Sequence, residues 1–434
     1  ILLSVSLLTP LSVNATDSTI SSDIVWSGEH TLSGNITVSN GAKLTIEPGT
    51  TIDCGDDFWI QIDGIIVAQD AHFFSSTPPV TQGSHGAGLW KGLLINNGGI
   101  AFLNNTLIEN AKTAIKVDGE LNAVNLVIND SYIGINNHGN SIITGYSSFQ
   151  IDYDSIQNSG TLVLSDANIV QSAVGIHTSG STVVTHSEFS SVGIALSSAS
   201  GQTTAHDIEL DTVTVGLTSQ LSAKVEVSEI TGQNIALLID ASNSDDLKVS
   251  EVNVSGDRVL VANSASSYSI SNLIFMSDIT QNRPVIDQHC IGLCTLSNIT
   301  ITDASYGVFL SGHGTHDIEE MTISAIYSAI EATGNGHISG QDISIDAQYT
   351  GMIMRGPSST LTGHNNIQMQ HSQSIAADIL DSQHIWTNLS IDKQFSQQDT
   401  TSLGFNSWYA TIEFDNLKIE NFSTGLYSED SYIS

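Results

Sequence analysis

The sequence is poor in several features, and each shortage excludes a class of protein. Its 434 residues contain three cysteines, which is too few for a fold that depends on a framework of disulfide bonds. No run of 18 or more apolar residues is present, so we find no candidate transmembrane helix. Charged residues make up only 13% and mean hydropathy is +0.06, a balance that supplies a core and excludes a disordered chain.

Basic residues are also scarce. Eleven Lys and Arg stand against 45 Asp and Glu, which gives a formal net charge of −34. Such a charge repels nucleic acid and anionic membranes, so we expect neither as a partner. Two explanations stay open: adaptation to a saline or cation-rich exterior, and simple solubility for a long chain with many exposed faces.

What the chain does contain is a pattern that returns roughly every 20 to 24 residues. An acidic residue or Asn is followed by a large apolar residue three positions later, then by a small residue and another apolar residue. The clearest copies are Asn105–Ile108–Ala114–Ile115, Asn125–Ile128–Gly134–Ile135, Asp166–Ile169–Gly175–Ile176, Asp207–Leu210–Gly216–Leu217, Asn298–Ile301–Gly307–Val308, Glu320–Ile323–Ala329–Ile330, Asp342–Ile345–Gly351–Met352 and Asn416–Ile419–Gly425–Leu426.

Each unit is too short for a pair of helices and is rich in the β-favouring residues Val, Ile and Thr. Fixed-period repeats of this kind indicate a stacked solenoid, so one unit predicts one rung of a parallel β-helix. The apolar residues should stack inside the coil. The small residue suits a bend or a positive φ, and the Asn or Asp column should mark a tight turn.

The large apolar residues, which we call anchors, predict about 17 rungs. They run Ile108, Ile128, an unclear copy near Phe149 to Ile151, Ile169, Phe189, Leu210, Ile230, Val254, Phe275, Ile301, Ile323, Ile345, Met369, Ile391 and Ile419, after two or three less regular rungs over residues 32–74. Longer steps at 230–254, 275–301, 345–369 and 391–419 predict projecting loops.

The chain resembles the right-handed parallel β-helix proteins of the pectin-lyase-like superfamily, of the secreted or cell-surface type. The resemblance rests on residues 32–38 (LSGNITV), 44–52 (LTIEPGTTI) and 90–95 (WKGLLI), and it covers about residues 24–434. It implies an all-β, right-handed parallel β-helix. It does not indicate which activity the chain has, because the superfamily contains lyases, hydrolases, adhesins and structural rods.

The ends of the chain carry further expectations. Residues 1–15 are apolar and end in Val13–Asn14–Ala15, which is typical of a signal peptide remnant and predicts a secreted or cell-surface protein. Residues 16–434 should form one β-helix domain. This domain is interpreted as truncated at its C-terminal end, since a solenoid needs a polar cap on its last rung.

Covalent features are predicted at five positions. Cys290 and Cys294 are close enough to form a disulfide across a short turn, or else they are two small buried residues in adjacent strands. Asn35, Asn104 and Asn129 lie in Asn-X-Ser/Thr sequons and are candidate glycosylation sites.

One loop is a weak candidate for catalysis. Arg283, Asp287 and His289 lie in a long step, and an Arg, an Asp and a His together can remove a proton next to a carboxylate. The alternative is a surface ion pair between Arg283 and Asp287. Gly312–His313–Gly314 matches one motif of polygalacturonase-like hydrolases, but the accompanying motifs are missing and a turn explains it better.

Metal binding has two weak candidates. His313, His316 and Asp317 begin a loose histidine column that continues through His337 and His384. Calcium is a candidate cofactor at the acidic runs 53–57 and 243–246, although neither has the spacing of a calcium loop. No other cofactor is expected.

Two functions follow from these observations. The first is an extracellular surface or adhesion-type structural rod with a carbohydrate or cell-surface ligand, because the repeat is regular and no convergent catalytic set is evident. The alternative is a polysaccharide lyase or glycoside hydrolase acting on an acidic polysaccharide, which the resemblance and the Arg283–His289 loop suggest. The sequence leaves open whether the protein is an enzyme.

Overall fold

A computed structural model describes residues 16–76, 90–220, 222–241, 244, 246–277, 282–371, 373–394 and 402–434. This part of the chain contains β-strands and no α-helix, and the strands form a parallel β-solenoid of about 17 turns. The predicted fold is therefore confirmed. No helix in the described ranges is long and apolar enough to span a membrane. The proposed signal peptide remnant, residues 1–15, lies outside the described residues.

The chain divides into two compact units, residues 1–153 and 154–434. The strands of the first are β1 (Ser18–Ile20), β2 (Ile24–Trp26), β3 (Glu29–Thr31), β4 (Ile36–Val38), β5 (Lys43–Ile46), β6 (Thr51–Asp53), β7 (Trp59–Ile62), β8 (Ile65–Gln69), β9 (His72–Phe74), β10 (Gly92–Ile95), β11 (Ile100–Asn104), β12 (Leu107–Glu109), β13 (Thr113–Val117), β14 (Glu120–Val124), β15 (Val127–Ser131), β16 (Ile133–Asn137) and β17 (Asn140–Thr144).

The division falls inside β18 (Ser147–Asn158). The remaining strands are β19 (Thr161–Ser165), β20 (Asn168–Thr178), β21 (Ser181–Ser190), β22 (Ile194–Ser198), β23 (Gly201–Ser219), β24 (Ala223–Asp240), β25 (Asp246–Gly256), β26 (Leu260–Ser277), β27 (Pro284–Gly312), β28 (Thr315–Thr333), β29 (His337–Ala347), β30 (Thr350–Arg355), β31 (Ser358–Thr362), β32 (Asn365–Met369), β33 (Ile375–Leu380), β34 (Gln383–Lys393), β35 (Leu403–Trp408), β36 (Thr411–Ile419), β37 (Thr424–Glu429) and β38 (Tyr432–Ile433).

The apolar anchors form buried columns within each unit. Ile108 of β12 is in register with Ile128 of β15, and both are fully buried. In the second unit Ile301, Ile323 and Ile345 are in register on successive rungs and are at most 1% exposed. Stacking like residues from rung to rung removes apolar surface from water, which is the main favourable term in folding.

Three predicted anchors are wrong, because pairing with the neighbouring rung decides register. Ser148, not a residue between Phe149 and Ile151, pairs with Ile128. Gly232 replaces Ile230 between Leu210 and Val254.

Ile367 replaces Met369, since it pairs with both Ile345 and Ile391. Steps 232–254 and 345–367 are consequently of ordinary length, so the loops predicted at 230–254 and 345–369 are not insertions.

The predicted turn column is confirmed. Every Asn, Asp or Glu that opens one of the eight repeat copies has a positive φ, as at Asn125 (52°) and Asp342 (54°). Asn125 Nδ2 donates to Asn105 Oδ1 at 2.8 Å, and Asn105 Nδ2 donates to Asp70 Oδ1 at 2.8 Å. The side chains thus link successive turns while the backbone adopts the left-handed conformation that Asn and Asp tolerate.

The small residue of the repeat has a steric reason and not a positive φ. A Cβ at Gly175 would lie 2.6 Å from the Ala195 carbonyl oxygen and 2.7 Å from the Phe189 ring. Gly175 is absent from the positive-φ positions, as are Gly216, Gly307 and Gly351. Close approach of the next rung therefore selects Gly at these four positions.

Candidate functional site

The predicted catalytic residues Arg283, Asp287 and His289 lie at and just before the start of β27. Asp287 and His289 alternate with buried Gln288 and Cys290, so both are on the outer face of β27, while Arg283 is exposed before the strand begins. Asp287 forms an ion pair with Arg258 and not the predicted pair with Arg283.

Arg258 is the residue that binds Asp287. Its Nη2 lies 3.2 Å from Asp287 Oδ2, and its Nε donates to the Pro284 carbonyl at 3.2 Å. His289 Nδ1 is 3.1 Å from Ser311 Oγ. The carboxylate and the imidazole are therefore each engaged by a neighbouring rung, and the pair of contacts fixes the start of β27.

The structure joins Cys290 and Cys294 by a disulfide bond, the first of the two alternatives. Both residues are fully buried and their Cα atoms are 6.2 Å apart. The short turn between them exposes Ile291 and Leu293 to solvent. Cys54 is a buried free thiol, and burial raises its pKa well above the ordinary range.

The predicted metal ligands His313, His316 and Asp317 face different directions. His313 is exposed at a turn, His316 is buried inside the coil, and Asp317 is on the outer face of β28. No group of three His, Cys, Asp or Glu is placed to hold a metal ion anywhere in the described ranges.

His316 instead belongs to the interior. Gln288 Nε2 lies 2.7 Å from His316 Nδ1, and Gln288 is itself fully buried. Burial lowers the pKa of His316 to about 4, against a hydrogen bond to the backbone of Ser311 that raises it. The ring is therefore neutral at physiological pH, as a core histidine should be.

His384 occupies the same inward column as His316. Register carries His316 to Ile338, Ile338 to Ser359 and Ser359 to His384, so three rung spacings of about 4.8 Å separate the two rings. The predicted column of histidines is thus present for these two residues, but the separation prevents a shared metal. His337 lies in the neighbouring outward column, in register with Ser358.

A complete hydrogen-bond chain surrounds His384. Trp386 Nε1 donates to Ser359 Oγ at 2.7 Å, and Ser359 Oγ is 2.7 Å from His384 Nδ1. Ser382 Oγ lies 2.5 Å from His384 Nε2, and its hydroxyl donates to the Leu380 carbonyl at 3.2 Å. With the proton on Nε2 every group has a partner, and burial lowers the pKa of His384 to about 4.

A shallow groove of about 280 Å³ lies against this part of the solenoid. Its lining combines the ring of His337, the carboxylate of Glu413, hydroxyl and amide side chains, and the exposed Ile385. The lining residues are His337, Ser358, Ser359, Thr360, Gln383, His384, Ile385, Thr411 and Glu413. This lining is mostly polar and therefore differs from the predominantly apolar lining of typical small-molecule sites.

The most unusual ionisable group was missed in the sequence. Asp154 has a side chain only 1% exposed, and its Oδ1 has no hydrogen-bond partner. Gln157 Nε2 donates to Oδ2 at 2.8 Å, and the half-exposed His177 places Nδ1 3.6 Å from the same oxygen. Burial raises the pKa of Asp154, although both neighbours act in the opposite direction.

A sequence signal for Asp154 did exist. It stands two residues before Ile156, where the following copies have Val174, Ile194 and Val215 two residues before their own apolar residue. None of the eight clearest copies has an acid at this position, which is aliphatic in three of them and Thr, Ser or Tyr in the others. An acid there marks either a structural exception or a functional group, because an incompletely paired buried carboxylate is costly.

The three sequons differ in accessibility. Asn35 Nδ2 donates to Asp17 Oδ1 at 2.9 Å, and Asn129 Nδ2 donates to Glu109 Oε1 at 3.4 Å. Asn104 is exposed at the end of β11. A glycan is bulky and lies at the surface, and all three predicted sites stay predictions.

In the calcium candidate at residues 53–57, the first carboxylate, that of Asp53, already accepts hydrogen bonds from the protein. Asp53 accepts hydrogen bonds from Gly55 N at 3.1 Å and from Ser76 N and Oγ at 3.1 and 2.6 Å. Burial alone would raise the pKa of Asp53, but these bonds lower it below its ordinary value. The run at 243–246 includes positions outside the described residues.

Comparison with known proteins yields structural likeness only. No protein-family model matches the chain, and no curated protein matches it. Among solved structures it is similar to a family 28 exopolygalacturonase of Yersinia enterocolitica, with 9% identity, a TM-score of 0.39, and coverage of 71% of this chain and 70% of that one.

Two further structures are similar at the same level. The catalytic unit of a GH87 α-1,3-glucanase from Streptomyces thermodiastaticus has 13% identity and a TM-score of 0.39, covering 71% of this chain and 64% of that chain. An alginate lyase from Paenibacillus has 9% identity and a TM-score of 0.26, covering 66% and 95%. At these values activity and residue roles do not transfer, so the chemistry of this chain is argued from its own residues.

Proposed function

We propose that this protein is an extracellular structural β-helix of the surface or adhesion type, which presents its outer faces to a carbohydrate or another cell-surface ligand. The observation that carries the proposal is the state of the Arg283–His289 loop. Arg258 engages Asp287 and Ser311 engages His289, so both side chains contact adjacent rungs, which supports a structural role for them. Arg283 is exposed before β27 and contributes to neither contact.

The net charge of −34 agrees with a scaffold whose surface is hydrated and carries no strongly basic ligand site. Calcium stays a candidate ligand of the acidic surface. A secreted location follows from the apolar N-terminal segment alone and is part of the proposal.

The test is turnover. The purified chain is incubated with acidic and neutral polysaccharides, with and without calcium, and new reducing ends and unsaturated uronic products are measured. We expect neither product. Appearance of either would contradict the scaffold function, and recovery of the native protein from inside intact cells would contradict its location.

A second candidate, a glycoside hydrolase or polysaccharide lyase, is supported by Asp154. A carboxyl group whose pKa is raised by burial is suited to act as a general acid, and the half-exposed ring of His177 has its Nδ1 3.6 Å from Asp154 Oδ2. An acidic polysaccharide would approach a chain of charge −34 only with cations to screen the repulsion.

This candidate makes a distinct prediction. If any polysaccharide is cleaved, Asp154→Asn should lower kcat at least about a hundredfold, the lower end of a general-acid contribution. Glu319→Gln is the matched control, because it removes an exposed carboxylate of the same unit that belongs to no candidate site. Equal loss in both variants, or none in Asp154→Asn, would exclude Asp154 as the acid.

A further inference from the structure

Four aromatic side chains of the second unit stack on one another from rung to rung, and we call them the aromatic ladder: Tyr306, Tyr327, Tyr349 and His371. Their ring centroids are 5.2, 5.9 and 4.4 Å apart along the series, and successive ring planes differ by 26°, 16° and 34°. The spacing follows the separation of neighbouring strands, about 4.8 Å.

The ladder is built by register. Ala304, Ala325, Ala347 and Met369 form one column of buried residues in successive rungs. Each ladder residue stands two positions after a member of that column, where the chain turns away from the core. The spacing from this column is the same on all four rungs, although the strand register shifts between Ala304 and Tyr306, which pairs with Ser328.

Stacking determines which part of each ring meets solvent. The faces of the inner rings are covered by their neighbours, yet Tyr327 is 46% and Tyr349 37% exposed. Because the ring faces are covered, the exposed area of these two residues belongs to their ring edges and hydroxyl groups. Ring edges carry the positive part of the aromatic quadrupole, and a phenol hydroxyl donates a hydrogen bond.

Polar groups flank the ladder. Gln348 is exposed beside Tyr349. Gln370 Nε2 donates to both carboxylate oxygens of Asp346 at 2.7 Å, so the carboxylate next to the ladder is already bound. His371 Nδ1 accepts a hydrogen bond from Gln373 N at 3.1 Å, which places the proton of the neutral ring on Nε2. The surface thus offers a row of donors.

We propose that the aromatic ladder is a docking surface for an extended neutral polysaccharide chain running along the solenoid. Hydroxyl and ring oxygens of such a chain accept from the ladder donors, and its regular repeat matches a surface that itself repeats from rung to rung. The proposal rests on the carbohydrate ligand of the proposed function, to which it assigns a binding site and a neutral chemistry, and it holds for a scaffold or an enzyme.

Charge and geometry select this ligand over two others. A polyuronate is repelled by the net charge of −34. A cationic ligand could not bind the ladder through cation–π contacts, because stacking has covered the faces of the inner rings. A neutral glycan is not repelled by the net charge and does not need exposed ring faces.

The test measures binding of cellohexaose, xylohexaose and maltohexaose by titration calorimetry, with an oligogalacturonate of the same length as the acidic probe. We expect binding of at least one neutral hexasaccharide and weaker binding of the oligogalacturonate. Tyr327→Ala and Tyr349→Ala should each raise Kd about tenfold, while Tyr327→Phe, which keeps the ring and removes the donor, should have a smaller effect.

Tyr153→Ala is the matched control. Tyr153 is also 46% exposed and stacks on Tyr132 at 5.8 Å, but it lies outside the ladder. Circular dichroism of each variant reports folding. Absence of binding to every neutral probe would overturn the proposal. So would unchanged Kd in folded Tyr327→Ala and Tyr349→Ala, an equal loss in Tyr153→Ala, or a preference for the oligogalacturonate.

Discussion

Individual polar residues decide where this solenoid departs from a purely apolar interior. His384 is 2% exposed and yet is fully paired, because Ser359, Ser382 and Trp386 together supply its partners. Asp154 is as deeply buried but has one oxygen without a partner. The first arrangement is a satisfied core network. The unpaired oxygen of Asp154 has a free-energy cost, as is expected of a group that is kept for a specific role.

The buried histidines make stability depend on pH. Their folded pKa of about 4 is below the ordinary 6.5, so the unfolded chain binds protons first as the pH falls. The stabilising difference is fully present above pH 6.5 and is lost as the pH falls from 6.5 towards 4. Each histidine contributes a slope of at most about 1.4 kcal/mol per pH unit and about 3 kcal/mol in all.

The measurement is the free energy of unfolding in urea at several pH values across that window. His384→Gln should lower the slope of the unfolding free energy against pH by up to about 1.4 kcal/mol per pH unit, which corresponds to one proton. This holds whatever the effect of the substitution on stability at neutral pH. His138→Gln is the control, since His138 is half-exposed. A slope that is the same in wild type and His384→Gln would show that His384 is protonated in the folded protein.

At the scale of the element, turns are the best predicted part of the chain. The Asn and Asp column was read from the sequence because these residues tolerate the left-handed conformation. A second series of positive-φ residues was not predicted, since it includes Gln150, Gln171, Ser191 and Thr212 beside Asn110 and Asp130. Side chains with no preference for that conformation are held there by the rungs above and below.

The Asn column can be tested at Asn125. Asn125→Ala removes the hydrogen bond to Asn105 and places Cβ-bearing Ala at φ 52°, so we expect a loss of about 2 kcal/mol. Asn125→Gly also removes the bond but accepts the backbone conformation, and should lose about 1 kcal/mol. Urea denaturation distinguishes the two. Greater loss in the Gly variant than in the Ala variant would contradict the assigned conformation.

The disulfide belongs to the same scale. Closing so short a segment should stabilise the folded chain by about 2 kcal/mol in the chain-entropy description. Cys290→Ala/Cys294→Ala should therefore lower the Tm, and reducing agent should lower the Tm of wild type but not of this variant. Mass spectrometry under non-reducing conditions that finds both thiols free would remove the bond.

At the scale of the whole molecule, charge is the dominant property. The net charge of −34 acts on the folded chain as self-repulsion, and exposed ion pairs offset little of it because each contributes about 0–1 kcal/mol. Stability should therefore rise with ionic strength.

Raising NaCl from about 0.01 M to about 0.15 M shortens the Debye length from about 30 Å to about 8 Å, and we expect a higher Tm. Calcium chloride at equal ionic strength separates screening from binding. An equal Tm in both salts would mean screening alone, and a higher Tm in calcium would indicate a calcium site. A Tm that falls with NaCl would contradict the importance of self-repulsion.

The sequence by itself determined the repeat, the parallel β-helix and the turn column, because each follows from residues within one rung. Only the tertiary structure decided that Gly232 and Ile367 occupy anchor positions, that Arg258 and not Arg283 binds Asp287, and that Asp154 is buried. The physical reason is that register and burial are set by the adjacent rung. Its residues lie a whole repeat away in sequence, and loop length shifts which of them meet.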